Sequence, residues 1–123
     1  MSSGIEVVTR MVEAWNAHDL DAVYGLLTDD YREYANGVLR RNSRAEARAA
    51  DDTMYQMIPD YRRTVEELWG AGDRVVSRFT IFGTMADGST LERAIGCFYG
   101  IRDGKIHECH LFFDTAPSVR PAS

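Results

Sequence analysis

Helical periodicity confined to the first half of the chain, a proline that ends it at Pro59, and β-rich runs divided by glycine turns beyond it predict an α+β domain. Three N-terminal helices should pack into a curved, mainly antiparallel sheet that encloses a pocket. The whole chain, 1–123, reads as a single domain, with a tail from Thr115 to Ser123, containing Pro117 and Pro121, only loosely attached.

Ile5, Val8, Val12 and Trp15 recur at helical spacing with Met11 beside them, so residues from about 5 to 17 should form a helix with one buried stripe. Asp19 reads as the cap of a short second helix carrying Leu20, Val23, Leu26 and Leu27, closed by Asp29 and Asp30 before an extended segment from Tyr31 to Ala35. Asn36-Gly37 marks a turn. Ser43-Arg44-Ala45-Glu46 forms a capping box, because the serine hydroxyl and the glutamate can each take an otherwise orphaned backbone N–H. Ala47, Ala50, Met54, Met57 and Ile58 continue that third helix to Pro59. Runs 62–69, 75–82, 90–101 and 106–113, rich in β-branched and aromatic residues, then read as strands, with turns at 70–73, Asp87-Gly88 and Asp103-Gly104.

At 123 residues the chain is long enough to bury a core without metals or disulfides. A net charge of -5 argues against a nucleic-acid groove or an anionic membrane as partner. No apolar run approaches the roughly 20 residues of a membrane span, and Met1-Ser2-Ser3-Gly4 lacks the features of a signal peptide. A cytoplasmic protein with Cys97 and Cys109 as free thiols is therefore expected. No His and carboxylate cluster shows ligand spacing and no glycine loop suits a phosphate, so neither metal nor cofactor is expected.

The segments Trp15-Asn16-Ala17-His18-Asp19-Leu20-Asp21 and Asp103-Gly104-Lys105-Ile106, the latter opening a strand that leads to Asp114, resemble the SnoaL-like polyketide cyclases, ketosteroid isomerases and limonene epoxide hydrolases. These share the cone-shaped nuclear transport factor 2-like fold, and the resemblance spans nearly the whole chain. It implies that fold and a cofactor-free enzyme, a cyclase, isomerase or epoxide hydrolase, acting on a hydrophobic carbonyl or epoxide compound. The families' catalytic residues do not carry over. The isomerases' tyrosine and two aspartates fall on Met11, Ala35 and Cys97. Of the epoxide hydrolases' set only the arginine survives, at Arg78, the others falling on Glu33, Ala35, Thr80 and Leu111. The cyclases' acid/base aspartate falls on Leu111, with their histidine, asparagine and glutamine on Cys97, Glu33 and Ile95. A non-catalytic binding or dimerisation module of the same fold is the competing reading.

Register decides which side chains reach the pocket. A two-residue turn at Asp87-Gly88 would put Arg78, Thr80 and Phe82 opposite Cys97, Ile95 and Arg93. In the last hairpin a two-residue loop would set Cys97 beside His110, and a three-residue loop with a bulge would set it beside Cys109. The resemblance favours the latter, which makes Trp15, Met54, Thr80, Ile95, Cys97, Tyr99, Cys109, Leu111 and Phe113 substrate-binding candidates. Glu33 is the candidate base and Arg78 the candidate oxyanion partner. His107 and Asp114 are further catalytic candidates, as are Tyr34 and Asn36 if a bulge after Tyr31 turns them inward. The opposite sheet face, with Phe79, Ile81, Phe98 and Phe112, should support a homodimer.

Overall fold

The computed structural model describes residues 3–114 and the backbone of Val119–Arg120. The tail expected to be loosely attached lies otherwise outside the described residues. Helix α1 (Gly4–Asn16) starts where the Ser3 hydroxyl accepts the Glu6 N–H at 3.1 Å, and it buries Val7, Val8, Met11, Val12 and Trp15. Ile5, placed on this stripe by spacing, is instead exposed. His18, with φ of 57°, turns the corner, stacks on Tyr55 and hydrogen-bonds the Tyr61 carbonyl through Nε2. Asp19 caps α2 (Leu20–Gly25) by accepting the Ala22 N–H at 3.1 Å. Ser43 caps α3 (Arg44–Met57), and Glu46 reaches back to the Asn42 N–H. Met57, counted as core by its spacing, is exposed.

Strands β1 (Leu27–Ala35), β2 (Val38–Arg41), β3 (Arg62–Ala71), β4 (Arg74–Thr84), β5 (Thr90–Arg102) and β6 (Lys105–Phe112) lie in the order β2-β1-β6-β5-β4-β3. All neighbours are antiparallel except β1 and β6. Strand β2 is absent from the sequence reading, because its Val38-Leu39-Arg40-Arg41 is exposed or half-buried and shows no apolar alternation. A short β7 (Val119–Arg120) pairs with β5 at Thr90 and Leu91, beyond the part of β5 that β6 covers. The helices pack on the concave face of this curved sheet, where Val8, Val23, Val75, Phe79, Tyr99 and Ile106 are almost wholly buried. Among the described residues no helix is long and apolar enough to cross a membrane.

Loop length sets the register of the β4–β5 hairpin. Thr84 pairs with Thr90, the Met85 N–H bonds the Ser89 carbonyl at 2.8 Å, and Ala86, Asp87 and Gly88 form a three-residue loop with Gly88 at φ of 84°. Asp87 accepts the Ser89 N–H, an internal brace that holds the extra residue. Ser77, Phe79 and Ile81 therefore stand opposite Cys97, Ile95 and Arg93 and face inward, whereas Arg78 and Thr80 face outward. This corrects the two-residue turn, and with it the assignment of Phe79 and Ile81 to the outer face.

The last hairpin combines features of both alternatives. Asp103 (φ 52°) and Gly104 (φ 75°) make a two-residue turn, but a bulge at His107 then adds a residue to β6. Cys97 consequently faces Leu111 and Cys109 faces Tyr99, so neither expected partner of Cys97 lies directly opposite it. The bulge still leaves both cysteines on the inner face, diagonally related with Cα atoms 6.6 Å apart, and joins them as a disulfide in place of the free thiols expected.

Gly83, at the end of β4, is where the sheet touches the segment after α3. A Cβ there would meet Ile58 Cγ2 at 2.2 Å, and Ile58 is itself buried. Gly83→Ala should cost about 1–3 kcal/mol by overpacking, read as a lower urea midpoint with unchanged slope.

Candidate functional site

Two adjoining lobes open between α3, β1 and the inner sheet face. The outer lobe, about 100 Å³, is lined by Glu33, Arg40, Arg41, Asp51, Met54, Tyr61, Arg63, Arg93, Ile95 and Phe113, among others. The inner lobe, about 40 Å³, is lined by Trp15, Tyr24, Tyr31, Tyr99 and Cys109. Glu33, Asp51, Arg63 and Leu111 border both, so two carboxylates and one guanidinium stand at the waist of the cavity.

Arg63 arrives from β3, where it alternates inward with Tyr61 and Val65. The Asn16 amide, at the end of α1, brackets its backbone by accepting the Arg63 N–H at 2.7 Å and donating to the Arg63 carbonyl at 2.9 Å. The guanidinium carbon then lies 3.6 Å from the Trp15 ring centroid and 4.9 Å from that of Phe79. Burial works against its charge, but Tyr61, Tyr99, Asp51 and Glu33 outweigh this and raise its pKa above the usual arginine value. Its Nε is buried with no hydrogen-bond partner among the described residues.

Asp51 sits on α3 in the stripe Ala47, Asp51, Met54 and Ile58 that faces the sheet. Burial pushes its carboxyl up to about 6, although the hydrogen bond donated by Tyr24 and the charge of Arg63 oppose the rise. The Tyr24 phenol is driven far above its ordinary range, first by burial and then by Asp51. It therefore serves as a fixed donor. Glu33, on β1, accepts the Tyr31 hydroxyl at 3.1 Å and lies 3.7 Å from Arg40 Nε.

Several residues expected at the site do border the cavity. Glu33 stands at its waist, Trp15, Tyr99 and Cys109 line the inner lobe, Met54, Ile95 and Phe113 the outer, and Leu111 both. Cys97 lies fully buried beneath this wall, bonded to Cys109. The others are placed elsewhere. Arg78 pairs with Glu67 at 3.1 Å on the outer face, where Thr80 donates to Glu66. Tyr34 stacks on His110, also outward, so Glu33 rather than Tyr34 points in. Asn36 takes the left-handed turn position and ties its amide to both backbone groups of Phe113. His107 is half-buried in the β6 bulge against Gly100, away from the cavity lining, and Asp114 is exposed past the end of β6.

The sequence reading missed Tyr24, Tyr31, Arg40, Arg41, Asp51 and Arg63. Two carried a visible signal: an acid at the i+4 position of an apolar helix stripe, and a cation in the inward phase of a strand. The tyrosines, Arg40 and Arg41 did not, because only the packing of α2, β1 and β2 brings them to the cavity. Among the described residues no group of three or more His, Cys, Asp or Glu is placed to hold a metal.

Comparison with solved structures gives the same architecture. IdmH, a proposed polyketide cyclase from Streptomyces antibioticus, superposes with a TM-score of 0.80 at 22% identity, covering 91% of this chain and 92% of its own. An NTF2-like protein from Burkholderia pseudomallei gives 0.81 at 22% identity, covering 94% of each chain. An epoxide hydrolase of limonene-epoxide-hydrolase type from M. tuberculosis gives 0.80 at 18%, covering 93% and 84%. At these identities the likeness shows the nuclear transport factor 2-like fold alone. No curated protein sequence is close enough to this chain to count as a match. Residues 5–121, however, match the family of SnoaL-like polyketide cyclases, and the chain belongs to that family.

Proposed function

We propose that the protein is an acid/base enzyme acting on a small, mainly hydrophobic carbonyl compound, with Asp51 as the proton-transferring group. The observation that carries this reading is a carboxyl at the waist of the cavity, raised by burial to about 6, beside a buried guanidinium with an unused N–H. Ionised at neutral pH, Asp51 takes a proton from the carbon next to the substrate carbonyl, and the C–H electron pair moves to form an enolate. The enolate oxygen collects negative charge opposite Arg63, whose N–H gains the acceptor it otherwise lacks. Return of the proton to a second carbon gives an isomer, and attack of the enolate carbon on a carbonyl of the same molecule gives a ring. Tyr24 holds Asp51 in place, and Glu33 balances the charge of Arg40 and Arg63. The base assigned here is thus Asp51 rather than Glu33, and the oxyanion partner Arg63 rather than Arg78.

Asp51→Asn should lower kcat/KM by roughly a hundredfold or more, followed as Asp51-dependent exchange of α-protons for deuterium in cyclic ketone probes by proton NMR. Wild-type kcat/KM should rise with pH through about 6 as Asp51 ionises. Exchange that survives Asp51→Asn rules out Asp51 as the base and leaves the cavity a binding site.

The same group costs stability. A carboxyl whose pKa is higher folded than unfolded favours the native state while protonated, so nothing is lost below about 4 and the full penalty is present above about 6. A difference of this size corresponds to on the order of 2–3 kcal/mol. Asp51→Asn should therefore stabilise the protein at pH 8 and leave it unchanged at pH 4, as read from denaturant midpoints.

The reading also takes the protein as a homodimer through the outer sheet face. Phe98 and Phe112 lie there edge to face, 5.8 Å apart and about half exposed, an arrangement that a partner surface would cover. Light scattering should give twice 13.9 kDa, and Phe98→Asp should return the mass to that of one chain.

A further inference from the structure

The cavity carries more positive charge than its own acids balance. Arg40, Arg41, Arg63 and Arg93 border the outer lobe, against the carboxylates of Glu33 and Asp51 among the described residues. Arg93 is the telling one. It enters from β5 opposite Ile81, its guanidinium carbon 5.2 Å from the Phe113 ring centroid, and its Nε is buried without a hydrogen-bond partner among the described residues. A buried donor left unpaired has given up its water without gaining another acceptor, so it favours any ligand that supplies one. Arg40 also lies over that ring, at 6.0 Å, with only a long 3.7 Å approach to Glu33. Two guanidinium groups thus gather by one aromatic ring at the wide end of the cavity, remote from the inner lobe that Trp15 and Tyr99 line. A planar carboxylate suits such a pair, since each of its oxygens can accept an N–H from a guanidinium fork.

Size narrows the ligand further. The outer lobe of about 100 Å³ and the inner lobe of about 40 Å³ together approach the volume known to admit a benzene ring, and they fall well short of a multi-ring skeleton.

We propose that the substrate is a carboxylate of single-ring size, its anionic group held by Arg93 and Arg40 and its apolar body lying against Met54, Ile95 and Leu111. This rests on the acid/base reading of the same cavity and adds the class of molecule: the carboxylate at the arginine end directs the reacting carbonyl toward Asp51 and Arg63 at the waist.

The test is direct binding of benzoate, its uncharged counterpart benzamide, and 2-naphthoate to the full chain, by calorimetry or NMR titration. Benzoate should bind at least about tenfold more tightly than benzamide, and more tightly than 2-naphthoate. Arg93→Gln should erase the preference for benzoate over benzamide, Arg93→Lys should keep part of it, and Arg78→Gln on the outer face should leave it intact. The wild-type comparison and Arg93→Lys do not depend on Arg93→Gln folding. Equal affinity for benzoate and benzamide, binding of neither, tighter binding of 2-naphthoate, or a preference that survives in folded Arg93→Gln overturns the proposal. Asp51→Asn should retain the benzoate preference, so a failure of Asp51 as the base and a failure of the carboxylate subsite give different results.

Discussion

Enclosing the Arg63 guanidinium between helix and sheet is the constraint on which the interior depends. Stacked on Trp15 and Phe79 and bracketed through its backbone by Asn16, it joins α1 to β3 at the point where both face the cavity. A charge removed from water must be compensated nearby. The carboxylates of Asp51 and Glu33 supply that compensation from α3 and β1, and each is held by a tyrosine hydroxyl, Tyr24 for one and Tyr31 for the other. One buried cation therefore accounts for the inward orientation of polar groups that the apolar pattern alone would have turned outward.

The same arrangement explains why a stable core is not the best description of this interior. Asp51 occupies a position on α3 between Ala47 and Met54 where an apolar residue would pack without penalty. Burial raises its proton affinity and Arg63 only partly offsets this, so the native state carries an electrostatic cost at neutral pH. Costs of this kind gather where proton affinity has a task. Arg93 adds a second cost of the same type at the wide end of the cavity, an N–H with no acceptor, and a bound anion would relieve it.

Hairpin geometry then selects which residues share that interior. In β4, one additional loop residue, held by the Asp87 to Ser89 hydrogen bond, exchanges the two faces of the strand, bringing Phe79 and Ile81 in and sending Arg78 and Thr80 out. In β6 a tight turn and a bulge act in opposite senses, and the inner face keeps Cys109 and Leu111. Side chains alternate with a period of two, so a slip of one residue is the largest error a strand assignment can make.

From the amino-acid order alone the fold was legible: the caps at Asp19 and Ser43, the stop at Pro59 and the Asp103-Gly104 turn are local events, decided by side-chain oxygens, a missing N–H and positive φ angles within a few residues. The apolar wall of the site, Trp15, Ile95, Tyr99, Leu111 and Phe113, followed once the inner face of β5 and β6 was chosen. The chemistry did not follow, because it depends on contacts between residues far apart in the chain: Tyr24 with Asp51, Arg63 with Trp15, Arg40 with Glu33. Sequence patterns report how a residue suits its own helix or strand. Whether an acid on α3 meets a cation from β3 in the absence of water is set by how those elements pack, and only the tertiary structure decided that.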